Sequence, residues 1–383
     1  MPTKIGTMSI NIHVNFTNYG SALQTWALHR AIEQVGDSAG IDLEPVLVDY
    51  CPDCLVGKDV RNPLSFMWDT DEDSQRNCRL SLPAIAVNAD KFDDFYTNKL
   101  NRSHGAYTSG NFDEIVAIDG VSNFVCGSDT IFCPDEFNGF ERGYYADYEC
   151  MRGRSVAYAP SFGDPHFSEG DYGVLDKRLS NFRAIGLREN LMLPYVEEHT
   201  DVPARRVVDP TLLLDADDYA PIVAPCQQEG DYVLLYSRRH NPEMTEYAER
   251  LAERNGWDVV EISLRAENAS RHRMAYDAGV EEFLSLVKHA RFLVTNSFHG
   301  MIFGYQFRTP FYAFAREQAN SKIGECLAAL GLSERQLGKV QDAAEDPFNV
   351  DWDAATRTLL PLRETSREFL AGAIGLLLDV EGA

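Results

Sequence analysis

The sequence lacks any long hydrophobic run. Its longest apolar stretch, residues 369–378, has ten residues, about half of the ~20 that a helix needs to cross a bilayer. The amino-terminal stretch MPTKIGTMSINIHVNF also lacks a basic region followed by an apolar core, so we expect no secretion signal. Both absences predict a cytoplasmic protein with no membrane span, either free or peripheral to the inner face of the membrane.

Basic residues are scarce. The chain has 35 Lys and Arg against 59 Asp and Glu, and its formal net charge is −24. Nucleic acids and anionic membranes require a basic face on their partners, so the composition argues against a general binder of either. If the substrate is anionic, arginines must be clustered at its binding site, because the protein as a whole is negatively charged.

Cysteines are few and scattered, eight in 383 residues, which is typical of reduced cytosolic thiols and not of a disulfide framework. Cys51 and Cys54 have the C-x-x-C spacing of a redox pair or of half a zinc site. No second pair stands at ligand spacing, so we favour ordinary loop cysteines. We expect no metal ion and no cofactor.

What the chain does contain is an alternation of strand and helix patterns, which predicts an α/β fold with parallel sheets. The first unit has a strand at residues 9–14, a helix closed by Gly36 and a strand at residues 45–50. Residues 51–90, rich in Asp, Asn and Pro, are predicted to form an irregular surface excursion. Further strand patterns lie at residues 124–126, 155–159 and 206–208.

The pattern restarts after an Asp- and Gln-rich linker at residues 215–230. The restart consists of strands at residues 232–236, 259–262 and 292–295 and helices at residues 242–255, 280–290 and 299–305. From Asp351 onward, apolar residues recur at helical spacing, with Pro361 as a start or a kink. With 383 residues and roughly 100–200 residues per domain, we predict domains at 1–220 and 230–345 and a C-terminal helical tail at 346–383.

Polar side chains follow several of the predicted strands. Asn18, Gly20 and Ser21 join the first strand to the first helix, where free backbone N–H groups attract anions. From the local sequence alone, a plain turn capped by Ser21 is favoured. Ser128 and Asp129 follow the strand at residues 124–126; Asp129 could accept a hydroxyl proton, or either residue could cap the next segment.

Ser161 follows the next strand in a similar setting and is no more decisive. The sharpest feature is the run Thr295-Asn296-Ser297-Phe298-His299-Gly300. An apolar strand ends there and His299 falls at the start of a helix. Since imidazole suits proton transfer near neutrality, this setting favours a functional role for His299. His13 and His289 are assigned structural roles.

Taken in order, these segments resemble the polysaccharide pyruvyl transferase family over roughly residues 10–335. The matching pieces are NYGSALQTWAL at 18–28, VCGSD at 125–129, YAPSFG at 158–163, LRE at 187–189, VDPTLLL at 208–214, VTNSFHG at 294–300 and NSKI at 320–323. Their order makes chance similarity improbable, although each motif alone is weak.

The resemblance implies two Rossmann-like domains in a GT-B-like arrangement and an activity in exopolysaccharide biosynthesis. It implies transfer of a pyruvyl group from phosphoenolpyruvate to two hydroxyls of a sugar, free or lipid-linked, to give a ketal. Carried over by position, it implies catalysis by His299 and Asp129. Substrate binding is expected from Arg188, Asn18, Gly20, Ser21, Ser128, Ser161, Ser297 and Gly300.

The chain departs from the family pattern at two positions. Ser297 stands where some members have an arginine two residues before the histidine, and Phe132 stands where a tryptophan is frequent. Two other functions stay open. One is a GT-B glycosyltransferase that uses a nucleotide sugar; the other is a non-catalytic protein that kept the fold.

Overall fold

The computed structural model describes residues 2–63, 72–263, 268–314 and 320–379. These described residues form two parallel β-sheets covered by helices, so the predicted α/β fold class is confirmed. No helix within them is long and apolar enough to cross a membrane.

The first sheet has seven described strands. They are β1 Thr3–Met8, β2 Leu43–Tyr50, β3 Arg102–Tyr107, β4 Asn123–Cys126, β5 Ser155–Tyr158, β6 Phe182–Leu187 and β7 Ala204–Arg206. The accompanying helices are α1 Tyr19–Ala39, α2 Glu72–Asn98, α3 Ile115–Ile118, α4 Pro134–Phe137, α5 Glu169–Leu179 and α6 Leu193–His199. The strand order is β3-β2-β1-β4-β5-β6-β7, all pairs being parallel.

The second sheet has six described strands. They are β8 Tyr232–Tyr236, β9 Asp258–Ile262, β10 Arg273–Met274, β11 Phe292–Thr295, β12 Phe311–Phe314 and β13 Gln336–Leu337. Its helices are α7 Pro242–Asn255, α8 Val280–His289, α9 Phe298–Gln306 and α10 Asn320–Leu330. The order is β10-β9-β8-β11-β12-β13. Both sheets thus have the Rossmann-like reversal of strand order, between β1 and β4 and between β8 and β11.

The last helix, α11 Trp352–Leu378, continues through Pro361 and returns to the first sheet. Its Ser366 hydroxyl accepts a hydrogen bond from the backbone N–H of Val208 at 2.9 Å. Its Phe369 ring lies 6.3 Å from the ring of Tyr158 on β5. Two Rossmann-like halves joined in this way by a returning C-terminal helix form a GT-B-like arrangement.

Several strands and helices lie where the pattern predicts them. Strands β8 and β11 and helix α7 match the predicted residues 232–236, 292–295 and 242–255. The strand predicted at residues 206–208 begins and ends earlier, as β7. Strands β8 and β11 are recognisable because they are short apolar runs that are buried throughout, and α7 is recognisable because its buried residues recur at helical spacing.

Three predictions in the first half were wrong. The strand predicted at residues 9–14 is a loop, and β1 lies just before it, where Gly6 had weakened the strand pattern. Helix α1 continues through Gly36 and ends at Gly40, which has a φ of +68° that favours glycine.

The predicted irregular stretch at residues 51–90 is also helical from Glu72 onward; its residues 64–71 lie outside the described residues. Cys78, Ile85 and Phe92 are buried along one face of α2 at helical spacing. Pro83, inside the helix, obscured that pattern in the sequence.

Candidate functional site

A cavity of about 460 Å³ lies between the two sheets. It is lined by the loop after β1, by Asp129 after β4, by Arg238 after β8 and by His299 after β11. In open α/β sheets, ligands bind at the carboxyl ends of the strands where the order reverses. Here both reversal points open onto the same cavity.

Two helix amino ends meet at this cavity. Asn18 caps α1 by accepting a hydrogen bond from the N–H of Gly20 at 3.1 Å. Ser297 caps α9 by accepting one from the N–H of Gly300 at 3.2 Å. Each helix amino end carries about half a positive charge and leaves first-turn N–H groups without helical partners. Because the two helix amino ends converge, they provide a binding site for an anion.

The imidazole of His299 lies directly against the first turn of α1. A Cβ atom placed on Gly20 would be 1.9 Å from Nδ1 of His299, far closer than van der Waals contact. Only glycine therefore permits the ring to occupy this position, where it is 6% exposed. Gly20 thus contributes to the site because it has no side chain that would displace the imidazole.

Behind His299 lies a buried carboxylate, Asp209. Its Oδ2 is 3.4 Å from Nε2 of His299 and accepts hydrogen bonds from Arg188 Nη1 at 3.0 Å and Ser128 Oγ at 3.2 Å. Its Oδ1 accepts one from Thr211 Oγ1 at 2.6 Å. Burial alone would raise the pKa of Asp209, but His299 and Arg188 lower it below its usual value. The carboxylate therefore stays ionised and holds Arg188 and His299 in place.

Arg188 is buried and shared between two carboxylates. Besides Asp209, it contacts Glu189, with Nε 3.1 Å from Oε1. Its guanidinium carbon lies 4.7 Å from the centre of the Phe298 ring. Burial alone would lower the pKa of Arg188, but the neighbouring carboxylates raise it above its usual value. Arg188 is a permanent cation that is fixed at the cavity wall.

Asp129 faces the cavity from the first sheet. Its Oδ2 accepts a hydrogen bond from Ser21 Oγ at 2.6 Å, and its Oδ1 accepts one from the N–H of Thr130 at 2.8 Å. Although burial would raise the pKa of Asp129, Arg188 and His299 lower it. The side chain is therefore a carboxylate that is ready to accept a hydrogen bond from a hydroxyl group.

The remaining predicted site residues, Ser128, Ser161 and Gly300, lie behind the cavity wall. Ser128 and Ser161 are both 0% exposed. Ser128 Oγ donates to the carbonyl of Ala159 at 2.8 Å as well as to Asp209. Ser161 donates its backbone N–H to the carbonyl of Asp129 at 2.8 Å. In this structure they fix the backbone that carries Asp129.

The residues at or behind the cavity that were not predicted as site residues include Asn15, Asp209, Arg238 and Lys322. Asp209 and Lys322 stand in the VDPTLLL and NSKI segments, so a signal for them was present. Arg238 follows β8 in the same way that His299 follows β11, and its N–H donates to Asn296 Oδ1 at 2.8 Å. That hydrogen bond ties the two loops together.

Two buried polar atoms of cavity-lining residues make no hydrogen bond with the described part of the chain. They are Oδ1 of Asn15 and Nε2 of His299, the latter despite its proximity to Asp209. Buried polar atoms in folded proteins are nearly always satisfied, so each exception calls for an explanation. Here both residues line the cavity, and Nε2 of His299 lies 3.4 Å from Oδ2 of Asp209.

Cys51 and Cys54 lie away from the cavity, both as free thiols. Burial raises the pKa of Cys51 to about 11, so the thiol is protonated at neutral pH and unsuited to redox exchange. We expect that the double variant Cys51→Ser/Cys54→Ser keeps the activity of the wild type when both proteins are measured in the same assay. A large loss of activity, or stoichiometric zinc in the purified protein, would contradict this.

Within the described residues, no three or more His, Cys, Asp or Glu side chains group closely enough to hold a metal ion.

Several solved structures are similar to this chain. The S. aureus MnaA–UDP complex has a TM-score of 0.49 and 12% identity, covering 96% of this chain and 91% of its own. A putative UDP-N-acetylglucosamine 2-epimerase from Listeria monocytogenes has a TM-score of 0.47 and 11% identity, covering 97% and 91%. E. coli ADP-heptose LPS heptosyltransferase II has a TM-score of 0.33 and 10% identity, covering 100% of both chains. No curated protein matches the sequence significantly.

The sequence model of one family, polysaccharide pyruvyl transferase, matches residues 18–318. The match begins at the cap of α1 and extends beyond His299, so it includes both sides of the cavity. It covers well over half of the chain. The chain therefore belongs to the polysaccharide pyruvyl transferase family, whose members transfer pyruvyl groups to polysaccharides.

Proposed function

We propose that the protein transfers a pyruvyl group from phosphoenolpyruvate to two hydroxyls of a sugar, free or lipid-linked, and so forms a pyruvate ketal. The observation that carries the proposal is the position of His299. The imidazole is buried where two helix amino ends converge, and its Nε2 makes no hydrogen bond with the described residues. This donor is an anion that must be protonated on carbon, so it requires a proton donor beside an anion-binding site.

The donor carries a carboxylate and a phosphate, which need positive partners. The cavity supplies Arg188, Arg238 and Lys322 together with the amino ends of α1 and α9. Arg238 comes from the loop beside Ser297 and takes over the role of an arginine at position 297. These groups bring cations to the cavity of a chain whose net charge is −24, as an anionic donor demands. The same lining also contains the carboxylates of Asp135, Glu136 and Asp164.

The chemistry proceeds by proton transfer and substitution. Protonated His299 gives its proton to the methylene carbon of phosphoenolpyruvate, which leaves the adjacent carbon electrophilic. The first sugar hydroxyl forms a C–O bond there and gives its proton to Asp129. The C–O bond to phosphate then breaks and a second hydroxyl closes the ketal, its proton leaving with inorganic phosphate. One acid and one base suffice, so the proposed reaction needs no metal and no redox cofactor.

Phosphoenolpyruvate should stabilise the protein against heat, because a ligand that binds only the folded state raises the midpoint of unfolding. We expect a rise in melting temperature with phosphoenolpyruvate and none with UDP. Phosphate release from phosphoenolpyruvate should then occur with at least one sugar of a panel of methyl glycosides.

The alternatives predict different results in the same experiment. A nucleotide-sugar glycosyltransferase would be stabilised by UDP and not by phosphoenolpyruvate. A non-catalytic protein would release no phosphate with any sugar. The control is Lys322→Ala, which should reduce the stabilisation by phosphoenolpyruvate without changing the melting temperature of the free protein, since the side chain is only partly buried.

A further inference from the structure

A second cavity, of about 330 Å³, lies beside the first. Val14 lines both cavities, so the loop after β1 forms a thin wall between them. The far side of the second cavity is formed by the segment after β2 and by one face of α2. It therefore lies at the carboxyl edge of the first sheet, next to the proposed donor site.

The lining of this second cavity combines short polar groups with aromatic rings. Asn11, Thr17 and Asp93 supply amide, hydroxyl and carboxylate groups, and Phe92 and Tyr96 supply apolar surface. Pockets of this kind use a few polar groups to orient a ligand on an apolar floor. A sugar ring has the matching chemistry, since its hydroxyls both donate and accept while its C–H faces are apolar.

Two side chains of this lining, an imidazole and a guanidinium group, already have close acidic partners. His13 Nε2 lies 2.6 Å from Asp49 Oδ1, and Arg61 Nη2 lies 2.6 Å from Asp90 Oδ1. None of the described lining residues caps an α-helix or lies in its first turn, in contrast to the first cavity, where α1 and α9 begin. These features disfavour a phosphorylated ligand and favour a neutral one.

The second cavity is also close to the reacting groups. Burial raises the pKa of Tyr96, and the charge of Asp129 contributes to the rise. Asp129 lines the first cavity and Tyr96 lines the second, so the two side chains lie on opposite sides of the wall that contains Val14. A ligand in the second cavity could therefore extend a hydroxyl past Val14 towards Asp129.

We propose that the second cavity holds a neutral sugar ring of the acceptor, so that its hydroxyls reach the pyruvyl donor past Val14. This inference rests on the proposed function for the identity of the donor. It goes beyond that function by assigning the acceptor to residues of the first half, on the far side of the β1 loop from His299.

The test uses two adjacent aspartates of α2. Asp93 is exposed and lines the second cavity, whereas Asp94 is exposed and does not. Asp93→Trp and Asp94→Trp lose the same charge and add the same bulk to the same helix. Only Asp93→Trp should fill the cavity and block a sugar.

Binding is measured by saturation-transfer NMR with methyl glycosides of glucose, galactose, mannose and N-acetylglucosamine at millimolar concentration. We expect a signal from at least one sugar with the wild type and with Asp94→Trp, and a loss on the order of tenfold in affinity with Asp93→Trp. Phosphoenolpyruvate should raise the melting temperature of all three proteins equally.

Each outcome decides the inference. Equal sugar signals in the two variants, or no signal from any sugar with the wild type, would overturn it while stabilisation by phosphoenolpyruvate still supports the proposed function. If Asp93→Trp alone loses the sugar but phosphoenolpyruvate stabilises none of the proteins, the second cavity is a sugar site and the proposed donor is wrong.

Discussion

Replacing His299 with alanine should lower the turnover number by about 10²–10⁴-fold with phosphoenolpyruvate at saturation, the range typical of a lost acid–base catalyst. Donor binding should change little, because Arg188, Arg238 and Lys322 and both helix amino ends remain. The substitution also removes the close contact with Gly20, so the fold should tolerate it. Steady-state kinetics and thermal shifts with the donor separate these two effects.

The pH dependence of turnover gives a second readout for the same variant. An imidazole acts as an acid only while it is protonated, so wild-type turnover should fall once the rising pH removes the proton. Asp129 and Asp209 have pKa values that are lowered by their cationic neighbours, so both stay ionised as the pH rises and add no step to the alkaline decline. The residual activity of His299→Ala should therefore lack the alkaline decline.

A matched control is His289→Ala. His289 lies exposed at the end of α8 and contacts its own helix, with Nδ1 2.8 Å from the carbonyl of Ser285. The turnover number of His289→Ala and the dependence of its turnover on pH should be the same as those of the wild type. If His299→Ala kept wild-type turnover with saturating donor, the histidine would have no part in the chemistry, and only a binding role would remain for this motif.

The gathering of site residues at one cavity could be anticipated from the sequence. Asp129 and His299 each follow an apolar segment that forms a parallel strand, and the carboxyl ends of such strands meet at one edge of the sheet. Arg188 follows β6 in the same way. The apolar pattern in the sequence predicts the strand. The candidate site residue is then found among the polar residues that follow the strand.

Other parts of the site depend on contacts that no local pattern encodes. Asp209 does not lie at the end of a predicted helix and belongs to a short segment of the chain. It contacts His299, Arg188 and Ser128 because three distant chain segments converge on it. The second cavity is formed partly by α2, which the sequence pattern failed to predict. Long-range packing determined both.

Gly20 is the clearest case of this kind. In the sequence it is one glycine in a turn, and turn glycines usually serve backbone conformation. In the structure it lies in the first turn of α1, where alanine would be acceptable to the helix itself. Its constraint comes from His299, which is far away in the chain and approaches from the other half of the molecule.

Gly20→Ala should therefore impair catalysis although it changes no reactive group. The new methyl group would lie 1.9 Å from Nδ1 and 2.5 Å from Cγ of His299, so the buried ring must move. A displacement of about 1 Å in a catalytic group can cost on the order of 10²-fold in rate. We expect a loss of turnover of that order, measured by phosphate release at saturating donor.

The control and the double variant establish the cause. Gly375→Ala, within α11, adds a methyl group that meets no described atom within 4 Å; it should leave turnover unchanged and raise stability by up to about 1 kcal/mol. If the collision with His299 is the cause, Gly20→Ala should also lower the melting temperature. Adding His299→Ala should then restore it, because the ring that collides is gone. The two substitutions should in that case be strongly non-additive in both stability and turnover, whereas independent, additive effects would mean that Gly20 acts through the backbone of α1 and not through the imidazole.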